Sequence, residues 1–471
     1  YTRPSVVDRQ IVMHPGDPLS QADMLRTQSR LYDLGLFNSV DVAVQNPEGE
    51  EDYKDVLLDL TEARRYTFDY GLGFEVQTGG APGTATNPQG RTGASPRVSF
   101  DVSRLNLRGR NDTIFFQSHV GRLEQKGLIG YTIANWLDNQ KLKLTFNILY
   151  DNTLDVFTFT SQRSEGSMQV QQSLSKSTTL LYRFTYRDVR VSNLVISAPE
   201  IPQLSQPVRI GMPSFTFIRD TRDDPVNSHK GNYFVLDTGV TSHAFASQAN
   251  FVRFLVQHSE YHAFGRKGKF VFAHSTQLGV EQPWGGPSAI VPLAERFFSG
   301  GGNSLRGFAI NEAGPRDLGT GYQLGGQALF VNNFELRLPP PELPFVGRDV
   351  SPVIFHDMGN VFASTGNLFP SLVRWSQPNL AECKALVKQQ QGAAGDIPIC
   401  NSIFNNSPQA VGTGIRYRTP IGPVRFDVSY NLNPPVYLVG FQSPQPPPPA
   451  LQPTFQRLHR VNFFFSIGQT F

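Results

Sequence analysis

The chain reads as a mainly β protein, a sixteen-stranded antiparallel transmembrane β-barrel preceded by a small α+β domain. Three observations predict this. Segment after segment alternates apolar and polar residues with a period of two, the polar face of these segments carries charges at mid-strand, and the connections alternate short and long. Lipid on one side of a strand and water on the other produce the first pattern. The second separates a barrel from a dry sandwich, whose core would bury each unpaired charge at a cost of several kcal/mol.

The first 63 residues differ from the rest. Met24, Leu25, Leu31 and Leu34 recur at helical spacing after Ser20, a good N-cap, and Gly35 stands where a helix would stop. Val40, Val42 and Val44 then alternate, as do Val56, Leu58 and Leu60, with the polar turn Asn46 to Asp55 between them. A helix-plus-hairpin domain over 1–63 is predicted, with its opening strand expected upstream of Tyr1.

The barrel is predicted over 64–471. Tyr66, Phe68, Tyr70, Leu72, Phe74 and Val76 form the first outward stripe; Val461, Phe463, Phe465, Ile467 and Phe471 form the last. Between them, stripes such as Leu142-Leu144-Phe146-Ile148-Tyr150, Leu180-Tyr182-Phe184-Tyr186 and Val424-Phe426-Val428-Tyr430 face away from Lys143, Arg183, Arg187, Arg425 and Asp427. Strands are expected at 66–78, 97–104, 111–121, 127–137, 141–151, 167–176, 178–189, 208–219, 231–244, 249–264, 268–280, 326–338, 350–363, 409–418, 423–432 and 459–471. That number is even, as single-chain outer-membrane barrels prefer. Asp138 to Gln140 and Ile421-Gly422 read as tight turns, whereas 79–96, 281–325, 364–408 and 433–458 read as long loops. Pro444 to Pro449 is a stiff unpaired spacer.

Composition narrows the function classes. Hydrophobic residues make up 39% of the 471, too few for helical spans but right for a barrel with a polar interior. No stretch approaches the roughly 18 apolar residues that a transmembrane helix needs. Net charge is +3, which argues for no nucleic-acid partner. Cys383 and Cys400 fall in one expected loop. Paired, they would stabilise it by roughly 3 kcal/mol and require an oxidising compartment; two free thiols are the alternative.

The 281–325 loop contains Phe297-Phe298-Ser299-Gly300-Gly301-Gly302-Asn303-Ser304-Leu305-Arg306-Gly307-Phe308. A phosphate cradle would need a Gly-Lys-Ser/Thr ending and a strand-to-helix setting, and neither is present. Ser304-Leu305-Arg306-Gly307-Phe308 instead resembles the Val-Arg-Gly-Phe/Tyr motif of the outer-membrane protein assembly factor family, the BamA/TamA-type barrels, with Leu305 in place of Val. Other segments follow in the family's order. Phe355-His356-Asp357-Met358-Gly359 resembles its Phe-x-Asp-x-Gly strand, Thr419-Pro420-Ile421-Gly422-Pro423 its near-terminal turn, and Asp220-Thr221-Arg222-Asp223 with Gly231 its mid-barrel turn. Ser466 to Phe471 resembles its C-terminal signature. Residues 1–63 are similar to its last POTRA domain, most closely at Leu31-Tyr32-Asp33-Leu34-Gly35-Leu36-Phe37.

The resemblance implies that Arg306 is held inside the barrel by a carboxylate, with Asp357 and Glu335 at the matching positions. A long loop entering a wet lumen needs such an anchor, and a bidentate Arg–carboxylate pair supplies direction as well as attraction. Without the resemblance, Arg306 would read as a solvated loop arginine. Gly71 and Gly73 on the first strand and Gly468 near the end of the last leave two readings open. They mark a soft closing seam, where a client strand could add by backbone pairing, or they merely allow curvature.

By resemblance, the chain is expected to be a BamA-like insertase in the bacterial outer membrane, its POTRA domain in the periplasm. Its partners would be unfolded outer-membrane β-barrel clients, periplasmic accessory lipoproteins or chaperones, and membrane lipid. The alternatives are a TamA-like or two-partner translocation barrel and, less favoured, a passive porin. No enzyme, cofactor or metal is expected. His119, His243, His258 and His262 have no ligand spacing, His356 and Asp357 face opposite sides of a strand, and no Gly-x-Ser-x-Gly elbow is present.

Overall fold

The structure, a computed structural model, describes residues 1–78, 93–196, 204–225, 227–286, 289–341, 350–390, 398–419, 422–440 and 453–467. Gly468 and Phe471 of the expected seam lie outside the described residues, as do Pro444 to Pro449 and the turn residues Pro420 and Ile421.

Helices α1 (Pro4–Asp8) and α2 (Gln21–Asp33) precede the antiparallel hairpin of β1 (Phe37–Val44) and β2 (Val56–Glu62). The Ser20 hydroxyl accepts from the Asp23 N–H at 3.3 Å, and Gly35 takes φ +67°, so the helix starts and stops where its capping chemistry dictates. Leu31, Leu36, Phe37 and Val40 pack beneath it with Val6. Leu25 is exposed, because six residues before Leu31 place it well off the buried stripe.

Sixteen strands close into a barrel: β3 (Tyr66–Thr78), β4 (Gly93–Leu107), β5 (Asp112–Gly121), β6 (Glu124–Ile133), β7 (Leu142–Thr153), β8 (Thr160–Ser175), β9 (Thr178–Ser192), β10 (Val208–Asp220), β11 (Gly231–Val240), β12 (Phe251–Phe264), β13 (Phe270–Pro283), β14 (Ala328–Arg337), β15 (Val350–Phe362), β16 (Gln409–Thr419), β17 (Gly422–Asn431) and, after a hairpin of β18 (Val436–Val439) and β19 (Thr454–Arg457), β20 (Val461–Ile467). Each neighbour pair is antiparallel, and β20 closes on β3 from Phe463 opposite Thr78 to Ile467 opposite Phe74. Phe68, Phe100, Phe116, Ile148, Phe254, Ile354, Phe426 and Phe463 are exposed on the outside, the apolar belt that lipid requires.

Every expected strand is present, with shifted ends. The expected 127–137 strand stops at Ile133, because Asn135, Leu137 and Asp138 take positive φ and turn the chain early. That turn and the one after β4 carry the N-terminal domain. Arg9 pairs with Asp138 at 2.6 Å, Gln140 donates to Gln10 at 3.1 Å, and Asn106 donates to Thr2 at 2.7 Å.

At the opposite end, two long connections are more ordered than simple loops. Residues 363–408 contain a helix over Leu380–Gln390 and the Cys383–Cys400 disulfide. The connection read from sequence as the long loop 433–458 contains the antiparallel pair of β18 and β19. Both fold over the barrel mouth: Gln377 donates to the Val436 carbonyl at 2.7 Å, and the four β18 residues are buried.

Candidate functional site

The connection from Pro283 to Ala328 turns into the lumen. Its Phe297, Leu305, Phe308, Ala313 and Leu318 form one hydrophobic cluster with Leu329 and Val331 of the wall, and with Tyr437, Leu438 and both cysteines of the cap. An apolar core thus fills space that the strand pattern alone marks as wet. A cavity of about 310 Å³ remains between the loop and the wall, lined by Arg253, Gln277, Phe297, Phe298, Asn311 and Leu329.

Arg306 anchors the loop. Its Nε donates to Asp357 Oδ2 at 2.7 Å and its Nη2 to Oδ1 at 2.8 Å, while its own backbone N–H donates to Oδ2 at 3.1 Å. Three donors from one residue on one carboxylate fix both the side chain and the chain direction. Asp357 is 1% exposed and the guanidinium lies 3.3 Å above the Phe355 ring, so the pair is desolvated and stacked. Glu335 stands 3.5 Å from Nη1. The residues singled out in the sequence therefore meet. His356, next to Asp357, faces the other side and bonds Gln409.

The neighbourhood contains more than the motif showed. Asp427 lies 3.7 Å from Arg306 and 2.5 Å from Arg416, and Arg416 also reaches Glu335 at 3.2 Å. Arg337 bonds Glu335 at 3.0 Å, and Arg425 stands 3.6 Å from Asp427. Asp357, Asp427 and Glu335 thus share a ring of arginines drawn from the loop and from β14, β16 and β17, which spreads the desolvation cost over many partners. Asn333 donates to Asp357 at 2.8 Å and to the Ser304 carbonyl at 2.6 Å. Ser429 donates to the Arg306 carbonyl, and Asn431 and Asn462 donate to that of Gly307 at 2.6 and 3.2 Å.

Gly307 leaves no room for a side chain without a shift of its neighbours, since a Cβ there would strike the Asn431 side chain and stand 3.2 Å from the Ala410 methyl. Phe308 is buried in the loop core. At the seam, Gly73 lies near Arg97 and the Ile467 carbonyl, 3.5 and 3.7 Å from where a Cβ would sit, and Gly71 lies against Ser99.

Sequence reasoning missed a second anchor. Glu295 in the loop receives two bonds from Arg187 of β9, Nε to Oε1 at 3.0 Å and a close Nη2 to Oε2, with both side chains buried. Glu165 of β8 stands 3.8 Å from the same guanidinium. Further bonds run to the same side: Asn311 to Asp155 at 2.7 Å, Thr320 to the Val195 carbonyl at 3.3 Å, and Thr158 to the Gln323 carbonyl. The loop spans the lumen, a cation on it meeting one wall and an anion on it meeting the other. Arg187 was legible as a lumenal charge, but its partner 108 residues away was not.

A closed barrel with an apolar outer belt, a charged lumen and an inward loop locked to both walls is an outer-membrane-type transmembrane β-barrel. Residues 106–471 match the Omp85 superfamily domain, and the chain belongs to that superfamily. It is 22% identical over 437 residues to the outer membrane protein assembly factor BamA of Nitratidesulfovibrio vulgaris, covering 92% of this chain and 47% of that protein. It is 23% identical over 331 residues to the sorting and assembly machinery component 50 homolog of Homo sapiens, covering 68% and 64%. The chain thus spans between about half and two thirds of the length of these relatives. Its fold is similar to the crystal structure of BamA from Haemophilus ducreyi lacking POTRA domains 1-3, with a TM-score of 0.72 at 16% identity over 99% of this chain and 82% of that one. Within the superfamily it is BamA-like.

Proposed function

We propose that the protein is an insertase that folds β-barrel clients into the bacterial outer membrane through the seam between β3 and β20. The observation that carries this reading is the doubly anchored loop, whose buried core occupies the lumen. A polypeptide in transit through such a barrel would have to displace that core, whereas the seam needs only strand separation. Strand edges offer backbone hydrogen bonds without asking for a particular sequence, which suits many clients. The names of the relatives, an assembly factor and a sorting and assembly component, agree with it.

In this reading residues 1–63 are the last POTRA domain, placed in the periplasm, where it receives unfolded clients, chaperones or accessory lipoproteins. Arg306, Gly307, Phe308, Asp357 and Glu335 hold the loop, and Gly71, Gly73, Gly468 and Phe471 belong to the working seam. The activity needs no bond chemistry and no cofactor; client folding in lipid supplies the free energy.

The test is reconstitution into liposomes with an unfolded barrel client, following client folding by gel shift. A disulfide placed between β3 and β20 is expected to stop insertion, and reduction to restore it. Insertion that continues with the bridge intact refutes the seam, and client delivered into the vesicle interior would assign a translocation role instead.

A further inference from the structure

The segment that follows β15 folds back on the outside of the barrel. Leu278 and Val280 of β13, Ala328 and Phe330 of β14 and Phe362 of β15 alternate with Gln277, Leu329 and Val361, which line the cavity or join the lumenal core, and so they face outward. Leu368 and Leu372 form one cluster with these outward residues. Ala328, Phe362 and Leu368 are fully buried in it, although they stand on the lipid side of the wall. Thr365 fastens the start of the segment, donating to Gln282 of β13 at 2.6 Å.

The strand sets the height of this contact. From Phe270 at the short-turn end to Val280, β13 rises about 25 Å at the usual tilt, the height of a barrel's apolar band. Leu368 therefore sits at the upper margin of that band, on the cap side. Lipid reaches this level, since Phe254, opposite Val280 in register, is 48% exposed. Trp284, just past the end of β13, is exposed as well, as the aromatic girdle of such a barrel requires.

At about 3.6 residues per turn, Leu368 and Leu372 share the face on the wall, Ser371 stands beside it, and Phe369 and Val373 lie opposite Ser371. Ser371 is buried against the cap. Ser407 donates from its hydroxyl to the Ser371 carbonyl at 2.8 Å and from its backbone to the Arg374 carbonyl at 2.9 Å, and Asn433 donates to the Trp375 carbonyl at 2.6 Å. Phe369 and Val373, 71% and 83% exposed, thus point away from the cap and towards the apolar band. No carboxylate occurs from Thr365 to Ser376, and the one cation, Arg374, donates to the Asn405 carbonyl at 3.1 Å.

We infer that residues 365–375 are a foot of the cap that binds the lipid of the cap-side leaflet, with Phe369 and Val373 among the acyl chains just below the headgroups. The patch is continuous with the belt that the barrel turns to hydrocarbon, at a height that a soluble partner does not reach. Leu368 and Leu372 fix the foot on the wall, and the bonds to Ser407 and Asn433 pass its position to the cap.

The experiment uses the full chain with Trp136→Phe, Trp284→Phe and Trp375→Phe, in liposomes of phosphatidylcholine brominated on its acyl chains. Phe369→Trp in this background is expected to lose most of its fluorescence in lipid brominated near the headgroup, and less in lipid brominated near the chain end. Ala385→Trp, on the exposed face of the cap helix, is expected to keep its fluorescence in both. Adding Val373→Asp to the Phe369→Trp chain should relieve the quenching, while the heat-modifiable gel shift of a folded barrel persists. Equal emission of Phe369→Trp in brominated and plain lipid would overturn the proposal, as would quenching that survives Val373→Asp. Blue-shifted emission without quenching would assign the patch to a covering protein, a second copy or another chain, and overturn it too.

Discussion

The two ends of the inward loop use one physical device and differ in how they reveal it. At one end Arg306 reaches Asp357 inside a network of further arginines and carboxylates; at the other Glu295 reaches Arg187, with Glu165 3.8 Å from the same guanidinium and Glu281 within electrostatic reach. Both pairs are buried and bidentate. The first is embedded in redundancy and announced by a run of adjacent residues, whereas the second has fewer direct ion-pair partners and is announced by nothing local. Charge shared over many partners resists single substitutions away from its centre, so the ends should fail differently.

The largest effect is expected at the centre of the first end. Arg306→Ala strands Asp357 as a buried charge and should cost roughly 3–5 kcal/mol of loop anchoring; protease sensitivity of the loop and client insertion in liposomes should both change. An unaltered loop with full insertion would show that the network holds without its arginine. Removing the cap's crosslink comes next: Cys383→Ser with Cys400→Ser should lower the denaturation midpoint by the equivalent of roughly 3 kcal/mol in the chain-entropy model, checked by urea unfolding with and without reductant.

The second end is sharpened by a double-mutant cycle. Glu295→Gln and Arg187→Gln should each destabilise the loop, and the pair together should cost less than their sum, with a coupling of roughly 1–3 kcal/mol. Additive losses would mean that the two residues act independently. Gly307→Ala should cost roughly 1–3 kcal/mol through the clash with Asn431, and Asn431→Ala in the same chain should recover part of it.

The smallest effect lies in the N-terminal domain, away from both ends. Burial would raise the Glu62 carboxyl, but hydrogen bonds from Thr2 and Arg65 prevail and hold it down at about 2. A folded value below the unfolded one means that this contribution is present above about pH 4.5 and fades as pH falls towards 2. Glu62→Gln should therefore flatten the acid limb of that domain's unfolding curve, read by tryptic release of residues 1–63. The same acid sensitivity in the variant would exclude Glu62 as its source.

Much of the fold was legible because alternation is local. Each strand declares itself within about ten residues, whatever its neighbours, and the even number with short and long connections then forces a barrel. Strand ends were less legible: 127–137 kept its apolar spacing past Ile133 while Asn135 and Leu137 had already turned. The β18–β19 pairing was hidden because its two short strands flank a proline-rich run, and the burial of β18 comes from the cap rather than from its own pattern.

Sequence by itself determined the alternating wall and the capped helix before it, because each is written in neighbouring residues; the Arg306–Asp357 partnership came from the family resemblance, and the cysteine pair of the cap was one of two readings. Only the tertiary structure decided that Asp427 and Arg416 join Arg306 and Asp357, that Glu295 finds Arg187, and that Leu368 settles on the outer wall. Those facts depend on register and on the course of a long loop. Both are set by pairings between segments far apart in the chain, where closing the cylinder leaves one alignment and local composition is consistent with many.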